Sequence, residues 1–245
     1  MRSAYSAGFL YTLGARLNIT TPNIIVAASG SAGASLYFAT HQYEANKRIW
    51  TQLLSTTRFI FLPRLWRIMN IDYLVDVVFK QQELFNESSL KQSPTAIFVA
   101  VRNVDTGQTE FLDATRSPEP LELLRATKAI PILYRKTVRL GGKTYIDGGV
   151  GLKTQTMLDK VLQMGAKRIL FINETSPAGI WRFFGLQETS IDNLLYPSDV
   201  NLLYLKPGKL PARRMTRSKV RLSETFDRGV RDALARAEEL RTLLA

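Results

Sequence analysis

The chain has no cysteine and a single histidine among its 245 residues. The missing cysteines exclude disulfides, thiol nucleophiles and thiolate metal sites, and fit a reducing cytoplasm. A lone histidine excludes metal centres built on several imidazoles. There is no apolar run of the ~18 to 20 residues a membrane span needs. Acidic residues are scarce: 21 Asp and Glu face 33 Lys and Arg, for a net charge of +12. Between Lys206 and Arg221 (KPGKLPARRMTRSKVR) seven basic residues occur without one acidic residue. Such a run is a solvated basic face or a surface for anionic phospholipid headgroups or nucleic acid. No nucleic-acid motif accompanies it, so nucleic acid is not an expected partner. Ser3 to Ala15 superficially resembles a short secretory signal, but it leads straight into a strand and reads as a structural helix.

What is present centres on Asn23 to Phe38, NIIVAASGSAGASLYF. Strand-forming Ile24 to Ala28 runs into Ser29-Gly30-Ser31-Ala32-Gly33, and a helix-compatible segment from Ala34 to Thr40 follows. A serine at the apex of a strand-turn-helix junction is exposed, and the helix start aims N–H groups and a positive dipole end at whatever it attacks. Gly30 and Gly33 are expected to allow a strained turn and a close approach of strand and helix. Ser31 is the candidate nucleophile. The pattern is S-x-S-x-G rather than G-x-S-x-G, and a phosphate-binding loop or a plain strand-to-helix turn reads the same way. His41 lies ten residues beyond Ser31, about 15 Å along a helix, too far to serve as its base.

The remaining chain alternates helical and strand patterns. Helices are expected over Ser3–Leu17, Gln42–Thr56, Ile71–Phe79, Leu121–Ala126, Thr154–Met164 and Ser223–Leu244, the last burying Phe226, Val230, Leu234 and Leu240. Strands are expected over Thr95–Val104, Thr109–Asp113, Arg168–Asn173 and Asn201–Leu205, with a hairpin turned at Gly141-Gly142 that delivers Asp147-Gly148-Gly149 at a strand end. Thr175 to Ser198 reads as a long loop. Arg58 to Asn70 interleaves arginines with Phe59, Phe61, Leu62, Leu65 and Trp66, as an interfacial patch or lid does, and as ordinary core with snorkelling arginines also does. The pattern predicts one α/β domain over 1–245, a three-layer sandwich with a mainly parallel central sheet.

Three blocks in order, Ser29-Gly30-Ser31-Ala32-Gly33, Arg125-Ala126-Thr127-Lys128-Ala129-Ile130-Pro131 and Thr144-Tyr145-Ile146-Asp147-Gly148-Gly149, resemble the patatin-like phospholipases, most closely their bacterial branch. The likeness weakens after about Gly179. It implies a catalytic dyad of Ser31 and Asp147, and it selects Asp147 among carboxylates that the residues alone leave undecided; by itself Asp-Gly-Gly is a turn former. Family members open with a glycine-rich loop whose backbone N–H groups help bind the oxyanion. Here Arg2 aligns with that loop's basic residue, which puts the loop glycines upstream of Met1 and leaves the Ala32 N–H as oxyanion donor. Leu152-Lys153 also lacks the family's proline-containing continuation.

The resemblance implies a serine acyl hydrolase that cleaves esters of phospholipids or related lipids through an acyl-enzyme, without metal or organic cofactor. The alternative is a catalytically impaired lipid-binding or regulatory relative. The expected location is cytoplasmic, with peripheral attachment to the inner face of the membrane. The basic run and the Arg58–Asn70 patch are then expected on the same side as the mouth of the site.

Overall fold

The computed structural model describes residues 1–64, 67–174 and 191–244. In chain order the elements are α1 (Ala4–Ala15), β1 (Ile24–Ala28), α2 (Ser29–Ala39), α3 (Tyr43–Arg48), α4 (Glu87–Lys91), β2 (Ala96–Asn103), β3 (Thr109–Asp113), α5 (Pro120–Ala126), β4 (Val138–Leu140), β5 (Lys143–Asp147), α6 (Thr154–Gln163), β6 (Arg168–Ile172), β7 (Asn201–Leu205), α7 (Lys219–Leu234) and α8 (Ala237–Leu244). Two π-helical segments, Ile49–Leu53 and Tyr73–Gln82, continue the helical regions expected there. Leu65, Trp66 and most of the expected 175–198 loop lie outside the described residues.

The fold is α/β, but the sheet is mixed rather than mainly parallel. β1 pairs parallel with β2, whereas β2 pairs antiparallel with both β3 and β5, and β5 antiparallel with β4. β6 and β7 form a separate parallel pair. The cause is local: β2–β3 and β4–β5 are hairpins, which need only short turns and are necessarily antiparallel. At the second turn Gly141 and Gly142 take φ of 53° and 80°, the left-handed region that glycine occupies without steric cost.

The register places the site. β1 and β3 both pair with Phe98 to Ala100 of β2, so they occupy opposite edges; β3 and β5 both pair with Val101 and Arg102, so they do too. β1 and β5 therefore share one edge of β2 and run toward each other. Ala28 ends β1 opposite Ala100, and Asp147 ends β5 opposite the next residue, Val101. The residue after Ala28 and the last residue of β5 are thus brought side by side from positions 118 apart in sequence.

The largest departure from expectation in the helices is at the C-terminal end. The closing helix begins at Lys219, capped by Ser218, whose Oγ accepts from the Arg221 N–H, and it divides into α7 and α8 around Ala235 and Arg236. Phe226 and Leu240 are buried as expected, while Leu234, next to the break, is 40% exposed. α4 was not legible as a helix; it is short and polar, and stands on the cap in which Asn86 Oδ1 accepts from Ser89 N–H.

α7 lies against α1 backbone to backbone. A Cβ on Gly8 would sit 2.0 Å from the Phe226 carbonyl oxygen, and one on Gly229 2.1 Å from that of Tyr5. Gly229→Ala is expected to force these helices apart and cost about 3 kcal/mol, since neither partner is a side chain that can turn away. A denaturant midpoint that barely moves would contradict this packing.

Candidate active site

β1 is apolar and β-branched until Ala28, and α2 begins at Ser29 without a spacer. The expected turn of small residues is therefore the first turn of the helix, and the junction's apex falls two residues earlier than expected. Ser29 has φ of +51°, in the left-handed region, while neither Gly30 nor Gly33 has positive φ. A non-glycine residue there carries strain on the order of 1 to 3 kcal/mol, a feature of catalytic elbows.

Ser29 also makes the contact that the resemblance implies for Ser31. The Ser29 hydroxyl donates to Asp147 Oδ2 at 2.7 Å. The Ser31 hydroxyl instead donates to the Ala28 carbonyl at 2.8 Å, turned back on its own backbone as short hydroxyl side chains in a first helical turn often are. Asp147 is held from its other side, where Oδ1 accepts the Gly149 N–H at 2.7 Å. The Asp-Gly-Gly block does need its glycines: a Cβ on Gly148 would lie 1.9 Å from the Ala100 carbonyl oxygen, and one on Gly149 2.9 Å from Asp147 Oδ1.

The Arg125–Pro131 block grips both members of the pair. Thr127 Oγ1 accepts the Ser29 N–H at 2.8 Å and donates to the Ala100 carbonyl at 2.7 Å. Lys128 Nζ donates to the Ser29 carbonyl, and the Ala129 carbonyl accepts the Asp147 N–H at 3.1 Å. Arg125 anchors the helix leading into the block through ion pairs with Asp72, Asp76 and Glu122. The sequence carried this block only as a likeness; its three-way hold on the site is a product of the fold.

Of the other expected site residues, Gly30 is where Ser3 closes over the elbow, since a Cβ there would meet Ser3 Oγ at 2.4 Å. Gly33 is not sterically required: its added Cβ would find Lys128 Nζ at an ordinary 3.5 Å. Ala32 is fully buried and does not line the cavity, so its N–H is not placed as an oxyanion donor. With the helix starting at Ser29, the residue after the elbow is Gly30, and the first-turn N–H groups of Gly30 and Ser31 have no intrahelical acceptor. Arg2 lines the cavity, its Nε donating to the Glu174 carbonyl at 2.7 Å. His41 is exposed at the far end of α2, its ring bonded to the Tyr43 hydroxyl.

The pair opens into a cavity of about 270 Å³. Trp50, Leu54, Phe59, Leu74 and Phe79 supply apolar lining, while Arg2, Lys128 and Arg214 bring positive charge to the cavity that holds Ser29 and Asp147. Asp147 is 2% exposed. Burial pushes its carboxyl up to about 6, against the opposing pull of the Ser29 and Gly149 hydrogen bonds and the charges of Lys128 and Arg214. Burial also pushes the Lys128 ammonium down to about 7, with the Asp147 charge resisting. Among the described residues no group of His, Asp and Glu is arranged to hold a metal ion.

Both stretches expected near the mouth reach this cavity, through Phe59 and Met69 of the 58–70 stretch and Arg214 of the basic run. The other six basic residues of the run are exposed. No helix among the described residues is long and apolar enough to cross a membrane.

The family model of patatin-like phospholipase matches residues 1–157, a span that contains Ser29, the 125–131 block and Asp147. No curated protein matches the chain.

Proposed function

Since the chain belongs to the patatin-like phospholipase family, we propose that it is a serine acyl hydrolase acting on lipid esters, with Ser29 rather than Ser31 as nucleophile and Asp147 as its base. The observation that carries this reading is the 2.7 Å hydrogen bond from the Ser29 hydroxyl, on a strained elbow, to a buried carboxylate. Ser29 Oγ attacks the ester carbonyl carbon as its proton passes to Asp147. The tetrahedral oxyanion is met by the Gly30 N–H and by the positive end of α2. As the C–O bond breaks, Asp147 returns the proton to the leaving alcohol, and the acyl group remains on Ser29. Water then attacks the acyl-enzyme, giving its proton to Asp147, which passes it to Ser29 Oγ as the acyl–Ser29 bond breaks and the free acid leaves. The apolar lining of the cavity suits an acyl chain. Esterase assays of the Ser29 and Ser31 variants test the assignment, as argued in the Discussion.

The substrate surface is read from the residues around the mouth. Ile60 and Met69 form an antiparallel bridge, and the Met69 N–H donates to the Leu133 carbonyl of the α5–β4 connection. Leu62 and Ile132 are 54% and 42% exposed. Arg58 and Arg135, a few residues away in sequence, are exposed, and the Arg64 guanidinium lies over the Phe61 ring. Exposed aliphatics among arginines fit an anionic lipid surface, each cation adding on the order of 1 kcal/mol. Changing Arg58, Arg64 and Arg135 together to serine is expected to weaken binding to anionic vesicles about 10²-fold, with neutral vesicles little affected. Equal binding of parent and variant to anionic vesicles would remove this surface from the account.

A further inference from the structure

We propose that Lys128 is a positioning residue of this site: it holds the Ser29 carbonyl, and its positive charge keeps the neighbouring Asp147 carboxylate ionised. The inference rests on the Ser29–Asp147 reading above. Lys128 is 7% exposed, and enclosing an ammonium is costly unless its charge is used or matched. It forms no ion pair with any described carboxylate, and its one hydrogen bond to a described group goes to the Ser29 carbonyl. That bond fixes the strained residue from the carbonyl side, while Thr127 fixes it from the N–H side. Packing alone would be served as well by an uncharged chain of the same length.

The groups around Asp147 identify which charge matters. Ser29 Oγ and the Gly149 N–H hydrogen-bond it directly. Lys128 reaches it through space from the α5–β4 connection, and Arg214 from the segment before α7. Arg214 is opposed by the like charge of Arg2, and Arg2 by the carboxylate of Glu174; both line the same cavity. Lys128 is the more deeply enclosed cation, where a charge is screened least. Burial drives Asp147 toward its protonated form and Lys128 toward its neutral form; each resists the other's shift. Removing the ammonium therefore takes away one of the pulls that oppose burial, and the carboxyl moves further up.

The test is the pH profile of kcat/KM for p-nitrophenyl butyrate in the parent, Lys128→Met, Lys128→Gln and Lys128→Arg, each with its thermal midpoint. The parent's acid limb is expected near pH 6. In Lys128→Met the limb should move up by about one pH unit, so that the loss at pH 6 exceeds the loss at pH 8.5 about fivefold. Lys128→Gln keeps a donor for the Ser29 carbonyl yet should show the same shift, and Lys128→Arg should not. Midpoints of the uncharged variants should hold or rise. An unmoved limb in folded Lys128→Met or Lys128→Gln would overturn the proposal while leaving the dyad standing. If the parent shows no Ser29-dependent hydrolysis, the dyad reading falls and this inference with it.

Discussion

Ser29→Ala is expected to lower the hydrolysis of a short-chain ester by at least ~10³-fold, whereas Ser31→Ala should leave most of it. The difference follows from where each hydroxyl points. Ser29 Oγ already shares its proton with Asp147, so its loss removes the attacking atom; Ser31 Oγ is engaged with the Ala28 carbonyl. Neither change should lower the thermal midpoint much, since both hydroxyls are small and both residues half-buried. Ser29→Ala leaves the left-handed backbone in place, so its strain is unrelieved. Full activity in Ser29→Ala with loss in Ser31→Ala would return the nucleophile to the position the sequence pattern favours.

Asp147→Asn should be nearly as damaging, on the order of 10⁴-fold, because the chain's single histidine is exposed and far from the site and a carboxamide cannot accept the proton. The same substitution should stabilise the protein at neutral pH. Asp147 titrates near 6 in the folded chain, above its ordinary 3.8, chiefly through burial. A carboxyl raised in this way contributes its stabilisation fully below about 4, and loses it as pH rises through 6. At pH 7 the ionised form therefore weighs against folding by about 3 kcal/mol, which the neutral carboxamide does not carry. The thermal midpoint should rise by several degrees at pH 7 and little at pH 4. A variant that keeps its activity, or unfolds at lower temperature at pH 7, would contradict the buried carboxylate as base.

The strands that build the site were legible because their signals are local. Ile24–Ala28, the Thr109–Asp113 hairpin partner and the Gly141-Gly142 turn stand where composition puts them. The sheet's mixed character follows from those hairpins, but the shared edge of β2 that joins Ala28 to Asp147 is a matter of pairing, which no local pattern carries. The sequence pattern points to Ser31 rather than Ser29 for a narrower reason. Gly33 makes Ser31 look like the serine of G-x-S-x-G, whereas under the proposed assignment Ala27 and Ser31 occupy the two glycine positions around Ser29. Both are small enough for that role. The available signal is the end of β1: with no spacer after Ala28, the sharp strand-to-helix turn falls on the next residue. Thr127 and Lys128 stand in a motif of the sequence, yet their grip on Ser29 acts across 98 and 99 residues and becomes visible only when α5 docks beside β2.

The central claim is that one serine, Ser29, is activated by Asp147. It is tested most directly by treating the protein with a fluorophosphonate probe, which forms a stable adduct on an activated serine, and mapping the adduct by peptide mass spectrometry. The account predicts modification of Ser29 in the parent and in Ser31→Ala, with labelling strongly reduced in Asp147→Asn. An adduct on Ser31, or labelling of Ser29 that is indifferent to Asp147, would contradict it.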